Sequence, residues 1–235
     1  MPARSSERRA RTLLALDAAG SACSVALWRD GRVVARRFEA MSRGQSEHLV
    51  PMIEAVMAEA GQDYGALDAI AVTTGPGGFT GVRIGLATAR GLGLACGRPV
   101  IGVTSFEAVA AAVPEAERRG RVLAVLLDAK RADLYAQAFD PDLVPLTEPG
   151  AVATEALDDV LPPGPLTLAG DAAGPGEDAL RAAGRDILRA GSSGTVDAAQ
   201  VAALAAARPL PEPGSSPPGP LYLRPPDVTL PAGKP

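Results

Sequence analysis

Two segments, about half the chain apart, repeat the same order of structural elements. The first is an apolar run that ends in Asp17, followed by a short turn and a strand predicted over residues 22–28. The second is an apolar run that ends in Asp128, followed by a short turn and a strand predicted over residues 133–139. Internal similarity on this scale is typical of a duplicated unit, since solenoid repeats are much shorter. The chain is therefore expected to form two related α/β halves.

The predicted elements divide the chain into four parts. Residues 1–11 are rich in arginine and are expected to form a disordered basic tail. Residues 12–103 make up the first half, and residues 104–208 make up a second, less regular half. Residues 209–235 are a tail rich in proline and glycine, in which the apolar island 221–224 is a candidate for packing back on the body.

A glycine-rich turn, residues 73–83, stands between a predicted buried strand and a predicted helix. Glycine permits positive φ, and free N–H groups at a helix start can hold an anion, but such a turn can also serve tight packing alone. The turn is neither a P-loop nor a dinucleotide-binding fingerprint. Gly75, Gly77 and Gly78 are candidates for a nucleotide site, and strained backbone angles are expected at Gly77 and Gly78.

Composition argues against several classes of function. A net charge of −4 and an aromatic content of 3% are unlike those of a primary nucleic-acid binder. The single histidine, His48, excludes a paired-histidine metal site, and a catalytic triad would have to use it. We therefore expect no catalytic residues and no metal site. No run of about 18 apolar residues is present, so no membrane span and a cytoplasmic location are expected.

Two halves that each begin with strand, aspartate, turn and strand resemble the actin-like fold (ASKHA, RNase H-like) of sugar kinases, Hsp70 and actin. The resemblance implies two α/β subdomains, each with a mixed sheet flanked by helices. In the ATPases of that fold, turn glycines let the backbone approach the phosphates. Here alanines follow Asp17, and residues 129–132 contain no glycine. Asp17 and Asp128 are candidates for a cofactor site, and we interpret both as structural turn residues. An actin-like ATP-dependent enzyme with altered phosphate loops remains the alternative.

Several motifs closely resemble, in order and spacing, the bacterial TsaB (YeaZ) family. They are residues 14–17, 23–27, 46–53, 75–85 and 221–224. The resemblance implies a non-catalytic scaffold and activator in the synthesis of threonylcarbamoyladenosine, the modified base beside the tRNA anticodon. The implied partners are the catalytic paralogue TsaD and the ATPase TsaE, or a second copy when TsaD is absent. Contact with tRNA would be mainly indirect. No cofactor is implied, and ATP would bind, if at all, at the interface with partners.

Two predicted helices of the first half are the expected partner surface, because the family builds a helix bundle with TsaD from them. A small-residue stripe recurs every four residues in the second helix, and apolar residues recur at helical spacing in the first. Such a stripe lets another helix approach closely, but it can equally pack on the protein's own sheet. The candidate interface residues are Leu49, Met52, Ile53, Val56, Gly81, Gly85, Ala89 and Gly93.

Overall fold

The computed structural model describes residues 11–192, 194–212 and 214–224, and contains two five-stranded mixed sheets. The first sheet has the order β3-β2-β1-β4-β5. Its strands are β1 (Thr12–Asp17), β2 (Ala22–Arg29), β3 (Arg32–Ala40), β4 (Ala69–Thr73) and β5 (Val100–Val103). β1 and β3 are antiparallel to β2, whereas β4 is parallel to both β1 and β5.

The second sheet repeats the topology of the first. Its strands, in the order β10-β9-β6-β7-β8, are β6 (Val122–Asp128), β7 (Asp133–Phe139), β8 (Gly150–Ala153), β9 (Leu166–Ala169) and β10 (Ile187–Arg189). β6 matches β1, because it pairs antiparallel with β7 on one side and parallel with β9 on the other. Both central strands end in the aspartate that marked the repeat. The duplicated α/β architecture predicted from the sequence is therefore present.

Seven α-helices cover the two sheets within the described residues. They are α1 (Gln45–Glu59), α2 (Phe79–Cys96), α3 (Ser105–Ala111), α4 (Glu115–Arg118), α5 (Leu157–Val160), α6 (Ala173–Ala182) and α7 (Ala198–Ala207). Short 3₁₀ turns occupy Tyr64–Ala66 and Thr154–Ala156. None of these helices is long and apolar enough to cross a membrane.

Local sequence signals explain several of these elements. Asp30 and Gly31 both have positive φ, at 52° and 86°, and form the tight turn that joins β2 to β3. Thr104 and Glu107 form a reciprocal capping box at the start of α3. β1 is buried on both faces, as expected of a central strand whose residues 13–16 are all apolar.

The helices pack in three layers around the sheets. α1 and α2 share one hydrophobic core with the outer face of the first sheet. α3 and α7 contribute to a second core that joins the facing sides of the two sheets. α7 packs across β1 and β2, so it belongs by packing to the first half. The sequence placed it with the second half, 104–208, because linear order does not show which sheet a helix covers.

The first and last residues that the structure describes are tied to the body. We call residues 214–224 the C-terminal strap. Within it, the Leu221 N–H donates to the Thr74 carbonyl at 2.8 Å in the first half, and Arg224 forms an ion pair with Asp133 in the second half. Arg11 donates to carbonyls at the end of α7, so it is part of the fold rather than of the predicted tail. The remainder of that tail, residues 1–10, lies outside the described residues, as do residues 225–235 of the second tail.

Two glycines of α2 allow a matched test of this packing. An added Cβ at Gly81 would lie 2.0 Å from the Ala18 carbonyl oxygen, whereas a Cβ at Gly91 would meet open space. We expect Gly81→Ala to destabilise the fold by about 3 kcal/mol through this clash. Gly91→Ala should stabilise it by up to about 1 kcal/mol through helix propensity. Urea unfolding midpoints of the two variants measure the difference, and equal midpoints would contradict the packing.

Candidate functional site

A cleft lies between the two halves, at the carboxyl ends of their central strands. Its volume is about 410 Å³. The first half lines it with the turn after β1 and with the starts of α1 and α2, and the second half with the turn after β6 and with two later loops. The lining residues are 18–21, 42–46, 76–81, 84, 105, 127, 128, 130, 171 and 194–196. Of the two repeated aspartates, Asp128 lines the cleft, whereas Asp17 is buried just behind the lining residues 18–21.

Asp17 ends β1 and is fully buried. One carboxylate oxygen, Oδ1, accepts the Ala19 N–H at 3.2 Å, which is the pattern of an aspartate that stabilises its own turn. The other oxygen has no hydrogen-bond partner among the described residues; the Thr73 hydroxyl lies nearby without completing a hydrogen bond. Burial raises the pKa of Asp17 to about 7, while the Ala19 N–H and Thr73 favour its charged form.

Asp128 holds the corresponding place in the second half and is neutralised locally. Its carboxylate accepts the Lys130 N–H at 2.6 Å and forms an ion pair with Lys130 Nζ at 2.8 Å. Burial disfavours the charged carboxylate, but Lys130 outweighs this effect and lowers the pKa of Asp128. An ammonium group therefore lies where a cation bound by Asp128 would have to sit.

The glycine turn packs against the first hairpin. The Gly78 N–H donates to the Ala19 carbonyl at 2.7 Å, and a Cβ at Gly77 would lie 2.3 Å from the same oxygen. Gly75 has a φ of +96°. Gly78 has a φ of −61°, and Gly77 is not among the glycines with positive φ. The prediction of strained backbone angles at these two positions was therefore wrong. Gly77 is required by close approach, and the positive φ lies at Gly75.

Neither His48 nor Cys23 lines the cleft. His48 is on the surface, where Nδ1 lies 2.9 Å from the Glu39 carboxylate. Cys23 is buried in the first sheet, and burial, followed by the charges of Asp17 and Glu39, raises the pKa of its thiol to about 12. A thiol with such a pKa is a poor nucleophile at neutral pH. No group of three or more histidine, cysteine or acidic side chains suited to a metal ion occurs in the described ranges.

A family model described as "TsaD: tRNA N6-adenosine threonylcarbamoyltransferase" matches residues 39–164, more than half of the chain. The chain belongs to this family. The "tRNA threonylcarbamoyladenosine biosynthesis protein TsaB" of Escherichia coli (strain K12) is 38% identical over 130 residues, which are 55% of each protein. The protein of the same name from Haemophilus influenzae is 38% identical over 124 residues, 53% of this chain and 52% of its own. The chain thus spans about half the length of the curated relatives it matches.

Solved structures extend the similarity to most of the fold. A Pseudomonas aeruginosa protein described as similar to peptidase YEAZ superposes with a TM-score of 0.77 at 28% identity, covering 91% of this chain and 100% of that one. YeaZ from the same organism gives a TM-score of 0.68 at 29% identity, covering 83% and 90%. The predicted resemblance to TsaB (YeaZ) and the predicted actin-like fold are both confirmed.

The structure corrects the expected partner surface of this TsaD-family chain. All eight candidate residues are buried in its own first half: Leu49, Met52, Ile53, Val56, Gly81, Gly85, Ala89 and Gly93. The small-residue stripe of α2 faces the first hairpin and β4, since a Cβ at Gly85 would contact Val72 and Ala18. The residues of the stripe are small because α2 lies directly against the backbone of neighbouring segments of the first half. These residues are therefore not available to a partner.

The surface that sequence reasoning missed is the opposite side of α2. Ala87, Gly91 and Leu94 are exposed there, and Leu94 is 87% exposed. The signal was a second stripe of small and apolar residues, offset from the first, at helical spacing of four and three residues beside the exposed Arg83 and Arg90. At the start of the same helix, Phe79 stacks with Tyr222 of the C-terminal strap at 6.2 Å between ring centroids. This pairing depends on the strap and could not be found from local sequence.

Asp17 allows a pH-dependent test. Its carboxyl titrates near pH 7 in the folded protein and near 3.8 when unperturbed, so the folded state binds the proton more tightly. Its contribution to stability is therefore greatest below pH 3.8 and is lost as pH rises to 7. Asp17→Asn keeps an oxygen for the Ala19 N–H but cannot ionise. We expect its melting temperature to exceed that of the wild type by several degrees at pH 8, with the gap closing towards pH 4.

Thermal unfolding between pH 4 and pH 8 measures this gap. Asp159→Asn, at an exposed position, is the matched control and should follow the wild type throughout. A gap that stays constant with pH would show that Asp17 does not bury its charge.

Proposed function

We propose that the chain is a non-catalytic subunit of the machinery that installs threonylcarbamoyl on the adenosine beside the tRNA anticodon. Its role there is to dock on a TsaD-like catalytic subunit and activate it. Membership of the TsaD family and the names of the TsaB relatives support the pathway. The observation that carries the scaffold role is the exposed outer side of α2, where small and apolar residues lie beside Arg83 and Arg90.

The contents of the cleft support a non-catalytic role. The N–H groups two residues after Asp17 and Asp128 are bonded to those carboxylates, so they are not available to a phosphate held at the turns. Lys130 neutralises Asp128, the accessible one of the two hairpin aspartates. His48 is bound to Glu39 on the surface and Cys23 is buried with a raised pKa, and neither residue lines the cleft. We therefore expect the isolated chain neither to hydrolyse ATP nor to cleave peptides at a useful rate.

The proposed docking face is built from exposed small and apolar side chains. Ala87, Gly91 and Leu94 lie on the outer side of α2, and α1, which packs against it, exposes Val50 and Pro51. Small residues let a partner helix approach closely, and an exposed apolar patch marks an interaction surface. A TsaD-like partner would carry a related helix pair, because the two proteins share a family. Two related helix pairs can pack together with pseudo-twofold symmetry.

One end of this face carries residues typical of binding hot spots. The Arg83 guanidinium lies 3.3 Å from the centre of the Phe79 ring and 5.6 Å from that of Tyr222. Phe79 and Tyr222 are each about half exposed, although aromatic residues make up only 3% of the chain. Exposed arginine and tyrosine in a rigid cluster are enriched at interface hot spots. The C-terminal strap therefore contributes to the same surface as α2.

The remaining parts of the proposal follow from the pathway. A TsaE-like ATPase would join the pair, and a second copy of the chain would occupy the docking face when the TsaD-like subunit is absent. ATP would bind, if at all, at the interface with partners, and the complex would act in the cytoplasm. Contact with tRNA would be mainly indirect, since the chain has a net charge of −4 and phosphate binding needs several clustered cations.

A pair of matched surface variants tests the docking face. Leu94→Asp places a charge on α2, and Val144→Asp places the same charge on a second-half loop at a side chain that is 56% exposed. We expect Leu94→Asp to weaken assembly with the co-expressed TsaD-like subunit by about tenfold or more, because a carboxylate would be buried there. Val144→Asp should assemble normally.

Analytical size exclusion of the mixtures measures assembly, and thermal unfolding checks that both variants fold. If Leu94→Asp assembles like the wild type, the docking face lies elsewhere. Loss of assembly in both variants would point to a general effect of charge.

A further inference from the structure

The C-terminal strap crosses from the first half of the chain to the second. Pro218 packs directly on the backbone of β5, since an added Cβ at Gly102 would lie 2.8 Å from the Pro218 Cβ. The Arg90 guanidinium on α2 donates to the Pro218 carbonyl at 2.7 Å. Further along the strap, the Leu221 N–H donates to the carbonyl of Thr74, the residue that follows β4. These contacts hold the first part of the strap on the first half.

The last residues of the strap are anchored on the second half. Leu223 packs against the core that joins the facing sides of the two sheets. Arg224 forms an ion pair with Asp133 at the start of β7, and its guanidinium lies 5.8 Å from the centre of the Tyr135 ring in the same strand. Asp133 and Tyr135 are two residues apart in a strand, so they lie on the same face of the sheet. The strap is therefore fastened to both halves.

Tyr222 lies between these two sets of contacts and is part of the proposed docking face. Its ring stacks with that of Phe79 at the start of α2. Tyr222 is 50% exposed, so a partner that packs on the outer side of α2 and on Phe79 would also contact Tyr222. This end of the docking face is complete only when the strap is in place.

The strap is held by few and partly exposed contacts. Each of its residues is at least partly exposed to solvent. In the described part of the chain, Leu221 supplies the one main-chain N–H of the strap that donates to either half. The side chains of Arg224 and Asp133 are 25% and 41% exposed, and ion pairs open to solvent contribute little to stability. Segments of this kind open locally while the rest of a protein stays folded.

Proline residues prepare the strap to return to its place. Positions 217, 218 and 220 are proline. Proline fixes φ, and proline-rich segments stay extended when nothing holds them. The released strap therefore keeps an extended shape and loses less conformational entropy when it packs on the two halves again. Low costs of release and of return are the properties of a latch.

We propose that the C-terminal strap is a releasable latch between the docking face and the second half. When the strap is in place, it completes the docking face at Tyr222, and a docked partner in turn holds the strap on both halves. The inference rests on the proposed docking of a TsaD-like subunit. Because such coupling is reciprocal, a change in the second half that releases the strap must also weaken docking.

Asp133→Asn tests the latch from the second half. It removes the charge that holds Arg224 and alters no residue of the proposed docking face. In the isolated chain, we expect the Leu221 N–H to exchange with solvent deuterium several-fold faster, because the strap is released as a unit. Assembly with the TsaD-like subunit should weaken several-fold, since apparent affinity falls with the fraction of chains whose strap is in place.

Asp159→Asn is the matched control, because it makes the same change of charge at an exposed position of the second half. It should leave both exchange and assembly unchanged. The charge-reversed pair, Asp133→Arg with Arg224→Asp, places opposite charges at the same two positions. It should return both exchange and assembly towards the wild-type values. Thermal unfolding checks that every variant is folded.

Hydrogen exchange with mass spectrometry of residues 219–224 measures release of the strap, and analytical size exclusion measures assembly. Equal exchange in Asp133→Asn and the wild type would overturn the proposal, because the strap would not be a latch. Faster exchange with unchanged assembly would overturn it as well, because docking would not depend on the strap. A charge-reversed pair that restores exchange but not assembly would show that Asp133 contacts the partner directly, and would also contradict the latch. Failure of the docking face is recognised separately, since Leu94→Asp would then assemble like the wild type.

Discussion

The first hairpin and the glycine turn approach each other so closely that no side chain fits between them. The Ala18 carbonyl oxygen lies 2.0 Å from where a Cβ of Gly81 would be, and the Ala19 carbonyl oxygen is 2.3 Å from that of Gly77. This contact fixes the rotation of α2 about its axis. The small-residue stripe must then face inward, and Ala87, Gly91 and Leu94 must face solvent.

The same contact also limits the space at the first hairpin. With the alanine hairpin pressed against the glycine turn, the Gly78 N–H is bonded to the Ala19 carbonyl, and the hairpin offers little room to a phosphate. The second hairpin is closed differently, by the Lys130 ammonium on Asp128. The rigid outer surfaces of this duplicated fold suit the role proposed above, in which the chain positions a related partner.

Much of the architecture could be predicted from sequence, because it rests on local patterns. The repeated strand, aspartate and turn predicted the duplication, and an Asp-Gly dipeptide such as Asp30-Gly31 is itself a signal for the tight turn between β2 and β3. The short edge strands β8 and β10 were missed, since three or four residues carry too little periodicity. Whether the α2 stripe faces a partner or the protein's own core could not be predicted either. A small-residue stripe fits a neighbouring helix and the protein's own backbone equally well, and carbonyls about 60 residues earlier in the chain decide between them.

Formation of threonylcarbamoyladenosine on tRNA by the TsaD-like subunit tests the non-catalytic role most directly. The reaction is measured with the remaining pathway proteins, without this chain, with the wild type, and with the double variant Asp17→Asn/Asp128→Asn. If the chain is a scaffold subunit, we expect little product without it. We also expect the same rate with the wild type and the double variant, because neither carboxylate takes part in the reaction. A double variant that assembles normally but forms little product would place chemistry in the hairpins and contradict the scaffold role.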